Sequence, residues 1–334
     1  MIVAGQQQHV DFPGVKSNPV LSHVERGIEL ACKENVDVIL GVGGGSVIDS
    51  AKVIAGGVKA NHSCWDFFTF TRPVKDALPI LAVATVSASA SEMNNGAVLT
   101  KEDCCHKFGT ASLFFQPKVA ILDPTVLYSL NSQYSAYSSV DIITHMLEAY
   151  LNCLEPSTIL QDRLHEGLIK TIMESTDIIM KYPDNYEARA NIMWGSVFGF
   201  NGITTAGMGH SPFPAHMIEH ALSALYDIAH GAGLSLVLPA WMFWAREEKK
   251  DRLARFAREV FGVKNSDNLQ AAREGAERLK SWFASIGAPV TLKDAKIPES
   301  DIEKIADNAL NNAQMWGMTN YTKEVITEIL SKAK

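Results

Sequence analysis

Apolar residues near the start fall at Val20, Val24, Ile28 and Ala31, the spacing of one face of an α-helix, and predict a helix over 20–35. The next run, 36–42, is nearly continuous Val, Ile and Leu, which predicts a buried strand. Gly43, Gly44, Gly45 and Ser46 interrupt it, and helical spacing resumes over 47–56. Apolar runs at 78–84 and 119–123 predict two further strands, the last ended by Pro124. Strands alternating with helices imply a parallel, doubly wound sheet. After Pro124 the period changes to helical spacing throughout: 135–154, 158–181, 187–206, 214–225, 231–246, 251–262, 267–286, 299–313 and 322–333. The expected fold is an α/β N-terminal dinucleotide-binding domain over 1–123, with a parallel sheet and a Gly-Gly-Gly-Ser loop. An all-α C-terminal metal-binding and substrate domain follows over 124–334.

Composition narrows the function classes. The chain has 334 residues, 47% of them hydrophobic, enough for a sizeable core. A net charge of -7 and a pI near 5.8 argue against a nucleic-acid surface. The mixed-sign segment 246–252 reads as a solvated helix face. Five cysteines, an odd number without any Cys-x-x-Cys, fit a reducing compartment. Cys104-Cys105-His106 is a poor metal cluster, because adjacent thiolates cannot easily share a tetrahedral ion. No signal peptide opens the chain and no apolar run reaches about 18 residues, so a cytoplasmic protein with no membrane partner is expected.

The chemistry concentrates in two places. Between a strand and a helix, Gly43 to Ser46 form an anion-site loop: glycines let backbone N–H groups approach phosphate, and the helix N-terminus adds positive potential. Ser46 is a candidate cap, with Asp49 completing a capping box. Lys52 is placed to reach either a phosphate or solvent. Thr85 to Ser91 form a second small-residue loop after a strand, with hydroxyls suited to phosphate or ribose. The other place is a set of one carboxylate and three imidazoles. Asp141 and His145 are four residues apart and share a helix face. His216 and His230 on one straight helix would stand about 21 Å apart, so the chain must break between them, within 224–229, for one ion to be held by both. His220, four residues after His216, competes for the ligand role.

These residues carry a resemblance. Gly43 to Lys52, Asp141-Ile142-Ile143-Thr144-His145, and His216 with His230 resemble the iron-dependent (group III, metal-containing) alcohol dehydrogenase family. The segments 91–98, 117–124, Asn201-Gly202 and 216–226 are similar to its butanol dehydrogenase and broad aldehyde reductase branch. The resemblance runs from about Phe12 to the C-terminus and implies a dehydroquinate synthase-like architecture. It implies Fe2+ or Zn2+ held by Asp141, His145, His216 and His230, with His220 as a proton relay. Gly43, Gly44, Gly45, Ser46, Asp49, Thr85, Ser89 and Lys107 match its NAD(P)-contact positions. A small alcohol or aldehyde substrate and a homodimer follow from the same resemblance. Ala88 and Ala90 depart from small-residue positions that are usually glycine. The family also has about one further βα unit before Met1, which forms the adenosine side of the cleft and reads the ribose 2′ position, so weak cofactor binding is expected of this chain.

The mechanism expected from these residues is reversible hydride transfer between a primary alcohol or aldehyde and nicotinamide. With Asp141 as the one carboxylate, a divalent ion leaves the pocket net positive, where oxyanion charge develops. Met208, Phe213, Pro214 and Trp194 are candidate pocket residues, although Met and aromatics at helical spacing are more often core. Rival readings are a polyol or glycerol-phosphate dehydrogenase, a dehydroquinate synthase-like lyase, or a truncated non-catalytic metal-binding protein. Few Lys or Arg lie near the metal motifs, which favours a neutral substrate.

Overall fold

The computed structural model describes residues 9–155 and 157–334; the opening segment 1–8 lies outside the described residues. Helix α1 (Leu21–Lys33) and helix α2 (Gly45–Lys59) pack together through Val24, Ala31, Val53 and Ile54, with strand β1 (Ile39–Gly43) between them in sequence. Strand β2 (Ile80–Ala84) follows, then β3 (Gly96–Lys101), β4 (His106–Ala111) and β5 (Val119–Leu122). The three expected strands form one parallel sheet in the order β1-β2-β5, Ile39 opposite Ile80 and Leu81 opposite Val119.

Helix α2 covers one face of that sheet, where Ile48, Ala82 and Ala84 are buried together. On the other face Leu40, Leu81 and Val119 line up in one row, and Val42, Val83 and Ile121 in the next. Leu40 is 56% exposed and Ile121 52%. The expectation of a buried, doubly wound sheet is therefore corrected: among the described residues nothing buries this second face. A continuous apolar run reads as two-sided burial, but here alternate side chains meet solvent.

The antiparallel pair β3–β4 was not anticipated. Gly96 and Gly109 and the charged residues around the turn blur its alternation, so tertiary packing of Ala97, Leu99 and Phe108 against α1 and α2 decides it. Cys105, at φ 51°, makes the turn, and Cys104 and Cys105 are free thiols there.

The rest of the chain is helical: α3 (Ser132–Asn152), α4 (Ile159–Ile179), α5 (Tyr186–Phe200), α6 (Pro214–Tyr226), α7 (His230–Ala245), α8 (Lys250–Phe261), α9 (Asn268–Ser285), α10 (Ile302–Met315) and α11 (Lys323–Ser331). The run expected over 187–206 stops at Phe200, because Gly202, Gly207 and Gly209 take positive φ and two prolines follow. Helix α3 is buried without interruption from Ser138 to Asn152, and α4, α5 and α7 pack on it. It positions the site, since side chains on so enclosed a helix have little freedom. Among the described residues no helix is long and apolar enough to cross a membrane.

Candidate metal centre and nucleotide loop

Helix α3 presents Asp141, His145 and Glu148 on one face, at i, i+4 and i+7. Helix α6 ends at Tyr226, Asp227 turns the chain at φ 50°, and α7 starts at His230. The break falls inside the expected stretch, and it brings His216 and His230 to one point. Asp141 Oδ1 lies 3.4 Å from His145 Nδ1, 3.5 Å from His216 Nε2 and 3.5 Å from His230 Nε2. Asp141 Oδ1, His145 Nδ1 and His216 Nε2 are buried without a hydrogen-bond partner. Each such orphan costs about 1–3 kcal/mol. The ligand atoms of Asp141, His216 and His230 converge closely enough for one divalent cation, while His145 approaches Asp141 but stands outside that convergent group. The donor set fits a metal ion.

A second group, Glu219, His220 and His230, also converges. Its carboxylate is already engaged. Glu219 accepts from His230 Nδ1 and from Ser223 Oγ, and His220 Nδ1 donates to Lys107 O at 3.1 Å. The unpartnered carboxylate oxygen of Asp141 therefore distinguishes the first set.

Two functional carboxylates were missed in the sequence. Glu148 contacts His216 Nδ1 and accepts the Ala215 and His216 backbone N–H groups at the start of α6, where Phe213 offers no cap. Glu219 stands behind His230 in the same way. A carboxylate on the far nitrogen fixes the ring and strengthens it as a ligand. The signals were present: Glu148 continues the Asp141/His145 face, and Glu219 is three residues from His216. They also correct the charge expected for the pocket. Asp141, Glu148 and Glu219 are all buried, so a divalent ion does not leave an excess of positive charge by itself; Lys107, 3.7 Å from Glu219, supplies a further cation.

Burial acts to raise the Asp141 carboxyl, but His145, His230 and His216 outweigh it and hold it well below the usual carboxylate range. Burial pushes His145 down to about 3. At His216 burial is overcome by Glu148 and Asp141, which raise the ring to about 9. Burial, reinforced by Lys107, pushes His220 well below its usual value. His220 is thus a neutral imidazole near pH 7, with Nδ1–H held by Lys107 O and Nε2 left to take a proton.

The glycine loop differs from expectation in its capping. The N-cap of α2 is Gly44, and no side chain caps the helix. The Ser46 hydroxyl donates to Ser17 O instead. Asp49 accepts from Ser91 Oγ at 2.5 Å and from Val98 N at 2.9 Å, so its carboxylate braces strand β3 and the second loop from inside. Lys52 is fully buried and donates to Asn94 O, Asn94 Oδ1 and Gly96 O, reaching neither of its expected destinations. The uncapped first turn leaves backbone N–H groups open to an anion.

Thr85 N donates to Gly43 O at 2.9 Å, and a Cβ at Gly45 would stand 2.3 Å from Ser89 Oγ. The two loops thus form one wall that includes Gly43, Gly44, Gly45, Thr85 and Ser89. Ala90 takes φ 52°, a left-handed position that favours glycine. Lys107 is not part of this wall: its ammonium is buried against Asn18 and Glu219.

Of the candidate pocket residues, Phe213 stands beside the site, its ring 5.5 Å from His216. Pro214 opens α6. Met208 is fully buried, and Trp194 is 53% exposed and stacks on Phe198. Phe200, 4.2 Å from His145, and Trp316, 5.2 Å from His220, were not anticipated at the site.

The chain is similar to known proteins over nearly its whole length. Residues 3–124 match the iron-containing alcohol dehydrogenase family, and residues 135–334 match the C-terminal region of the Fe-containing alcohol dehydrogenase family. A probable NADH-dependent butanol dehydrogenase 1 of Bacillus subtilis is 36% identical over 329 residues, which covers 98% of this chain and 84% of the relative. The NADPH-dependent aldehyde reductase YqhD of Escherichia coli is 31% identical over 93% of this chain and 79% of its own length. The crystal structure of NADH-dependent butanol dehydrogenase A from Thermotoga maritima superposes with a TM-score of 0.91 at 42% identity, covering 96% of this chain and 82% of that one. Parallel sheet, glycine loop and helical metal centre thus occur together on a chain that belongs to the iron-containing alcohol dehydrogenase family.

Proposed function

We propose that this chain catalyses reversible hydride transfer between a small primary alcohol or aldehyde and NAD(P)H, with Fe2+ or Zn2+ held by Asp141, His145, His216 and His230. The observation that carries the reading is the set of orphaned, buried ligand atoms around Asp141. When bound, the ion supplies Lewis-acid polarisation of the substrate oxygen. The chain's own residues do the rest. Backbone N–H groups at Gly44 and Gly45 bind the dinucleotide pyrophosphate at the uncapped end of α2, with Thr85 and Ser89 alongside. His230 is the most accessible of the four ligand side chains, at 27%, which favours substrate entry past it. Phe200 and Phe213 exclude water and favour an apolar substrate tail. His220 Nε2 takes the alcohol proton in oxidation and returns it in reduction.

The Bacillus and Thermotoga relatives are named for butanol and the Escherichia relative for aldehyde reduction, which supports the substrate class. A division near 123, a homodimer and a cytoplasmic location belong to the same proposal. Five unpaired thiols support a reducing setting. The test is metal analysis of anaerobically purified protein, followed by turnover of a panel of alcohols and aldehydes with NADH and with NADPH. Bound Fe or Zn and turnover of butanol or butanal are expected. Absence of metal-dependent oxidation or reduction with either dinucleotide would sink the reading.

A further inference from the structure

The two halves of the molecule meet in buried polar contact behind His230, and this inference rests on the ligand reading above. Glu219, on α6, is fully buried. Its Oε2 accepts from His230 Nδ1 and lies 3.7 Å from Lys107 Nζ, while Oε1 accepts from Ser223 Oγ. Lys107 belongs to β4, in the α/β half. Its ammonium donates to Asn18 Oδ1 at 3.0 Å, and its carbonyl accepts from His220 Nδ1 at 3.1 Å. Asn18 in turn donates to Asp227 Oδ1 at 2.9 Å and Ile228 O at 3.2 Å, in the break between α6 and α7. Space for Glu219 depends on Gly233, where a Cβ would lie 2.7 Å from both Cγ and Oε1 of Glu219.

A carboxylate on Nδ1 selects the Nδ1–H form of an imidazole and turns Nε2, with its lone pair, toward the ion. In His230 that nitrogen faces Asp141 Oδ1. A buried carboxylate without a counter-charge is costly, and the Lys107 ammonium is the cation beside Glu219. We propose that Lys107 and Glu219 form a cross-domain positioning pair that presets His230 for the metal. Metal affinity in the helical half then depends on a residue of the nucleotide-binding half. Lys107 touches the carboxylate behind the ligand; it acts through Glu219 on His230, and through its own carbonyl on the ring of His220. A lysine serving only to contact cofactor would leave metal binding unchanged.

The test is anaerobic titration of the metal-free, full-length protein with Co2+ against a competing chelator, reading affinity and the visible absorption of the bound ion. Glu219→Gln is expected to weaken Co2+ binding roughly 10–100-fold, and Lys107→Met about tenfold, each with displaced absorption bands. Lys107→Arg, which keeps the charge, should recover most of the loss. Wild-type protein that fails to bind Co2+ overturns the ligand reading itself. Wild-type protein that binds it, with Lys107→Met within about twofold and an unchanged spectrum, overturns the positioning pair alone. If Lys107→Met does not fold, Asn18→Ala serves instead, because it frees the ammonium without leaving a buried charge unpaired. A loss of a few-fold with a displaced spectrum supports the pair, and wild-type affinity and spectrum overturn it.

Discussion

The candidate metal pocket and the glycine loop are built on different plans. In the pocket the ligand atoms belong to side chains, each held from behind: Glu148 holds His216, Glu219 holds His230, and enclosure of α3 holds Asp141 and His145. At the glycine loop they belong to the backbone, and the side chains of Asp49 and Lys52 serve only to brace it. An ion with bonds near 2 Å demands donors already in place. A pyrophosphate on a helix N-terminus demands only that nothing stand in front of the backbone. The same contrast appears in the scaffold, where a fully packed helical core lies beside a sheet with one apolar face open.

The largest expected effect breaks the pocket. A four-ligand site binds with roughly 10–16 kcal/mol, so losing one ligand costs roughly 3 kcal/mol. His216→Ala or His230→Ala should therefore weaken metal binding about 100-fold and abolish turnover, as read by metal analysis and steady-state rates. His220→Ala should keep the metal and lower the rate. If His220→Ala empties the site while His230→Ala does not, the ligand assignment is wrong. Glu148→Gln comes next. It retains one acceptor for the α6 backbone but loses the charge on His216, and should lower metal affinity roughly tenfold, as read by chelator competition.

At the loop the expected effects are separable from the metal. Gly44→Val should raise the KM for dinucleotide about tenfold, since a side chain there obstructs approach to the open N–H groups. Metal content should stay that of the wild type, and a parallel loss of both would mean that the two plans are not independent. The smallest effect is a gain. Ala90→Gly removes a left-handed alanine and should raise stability by about 1 kcal/mol, measured by urea denaturation. No change, or a loss, would show that the loop tolerates φ 52° without strain.

How much of this was legible in the sequence depends on how local the cause is. The three parallel strands, the long helices and the break before His230 follow from periodicity and spacing. Asp141, His145, His216 and His230 could be named as candidates because ligand chemistry limits the residue types, and the structure places all four around Asp141 Oδ1. Glu148 and Glu219 carried only a weak signal, their place on the ligand faces, since a glutamate on a helix is commonplace until its far partner is known. Lys52 and Asp49 misled for the same reason: both are bonded to residues 91–98, more than forty positions away. The β3–β4 pair escaped because its pattern is weak and its packing against α1 and α2 is not. The open sheet face was hidden by a composition that signals burial on both sides.

The turn at Asp227 has a thermodynamic consequence. It allows one ion to join α3 to α7, closing a long stretch of chain between Asp141 and His230 as a cross-link would. An ion that binds the folded pocket and not the unfolded chain stabilises the fold in proportion to the logarithm of its free concentration. Resistance of this protein to heat would then be a property of its surroundings as well as its sequence, rising and falling with the supply of metal.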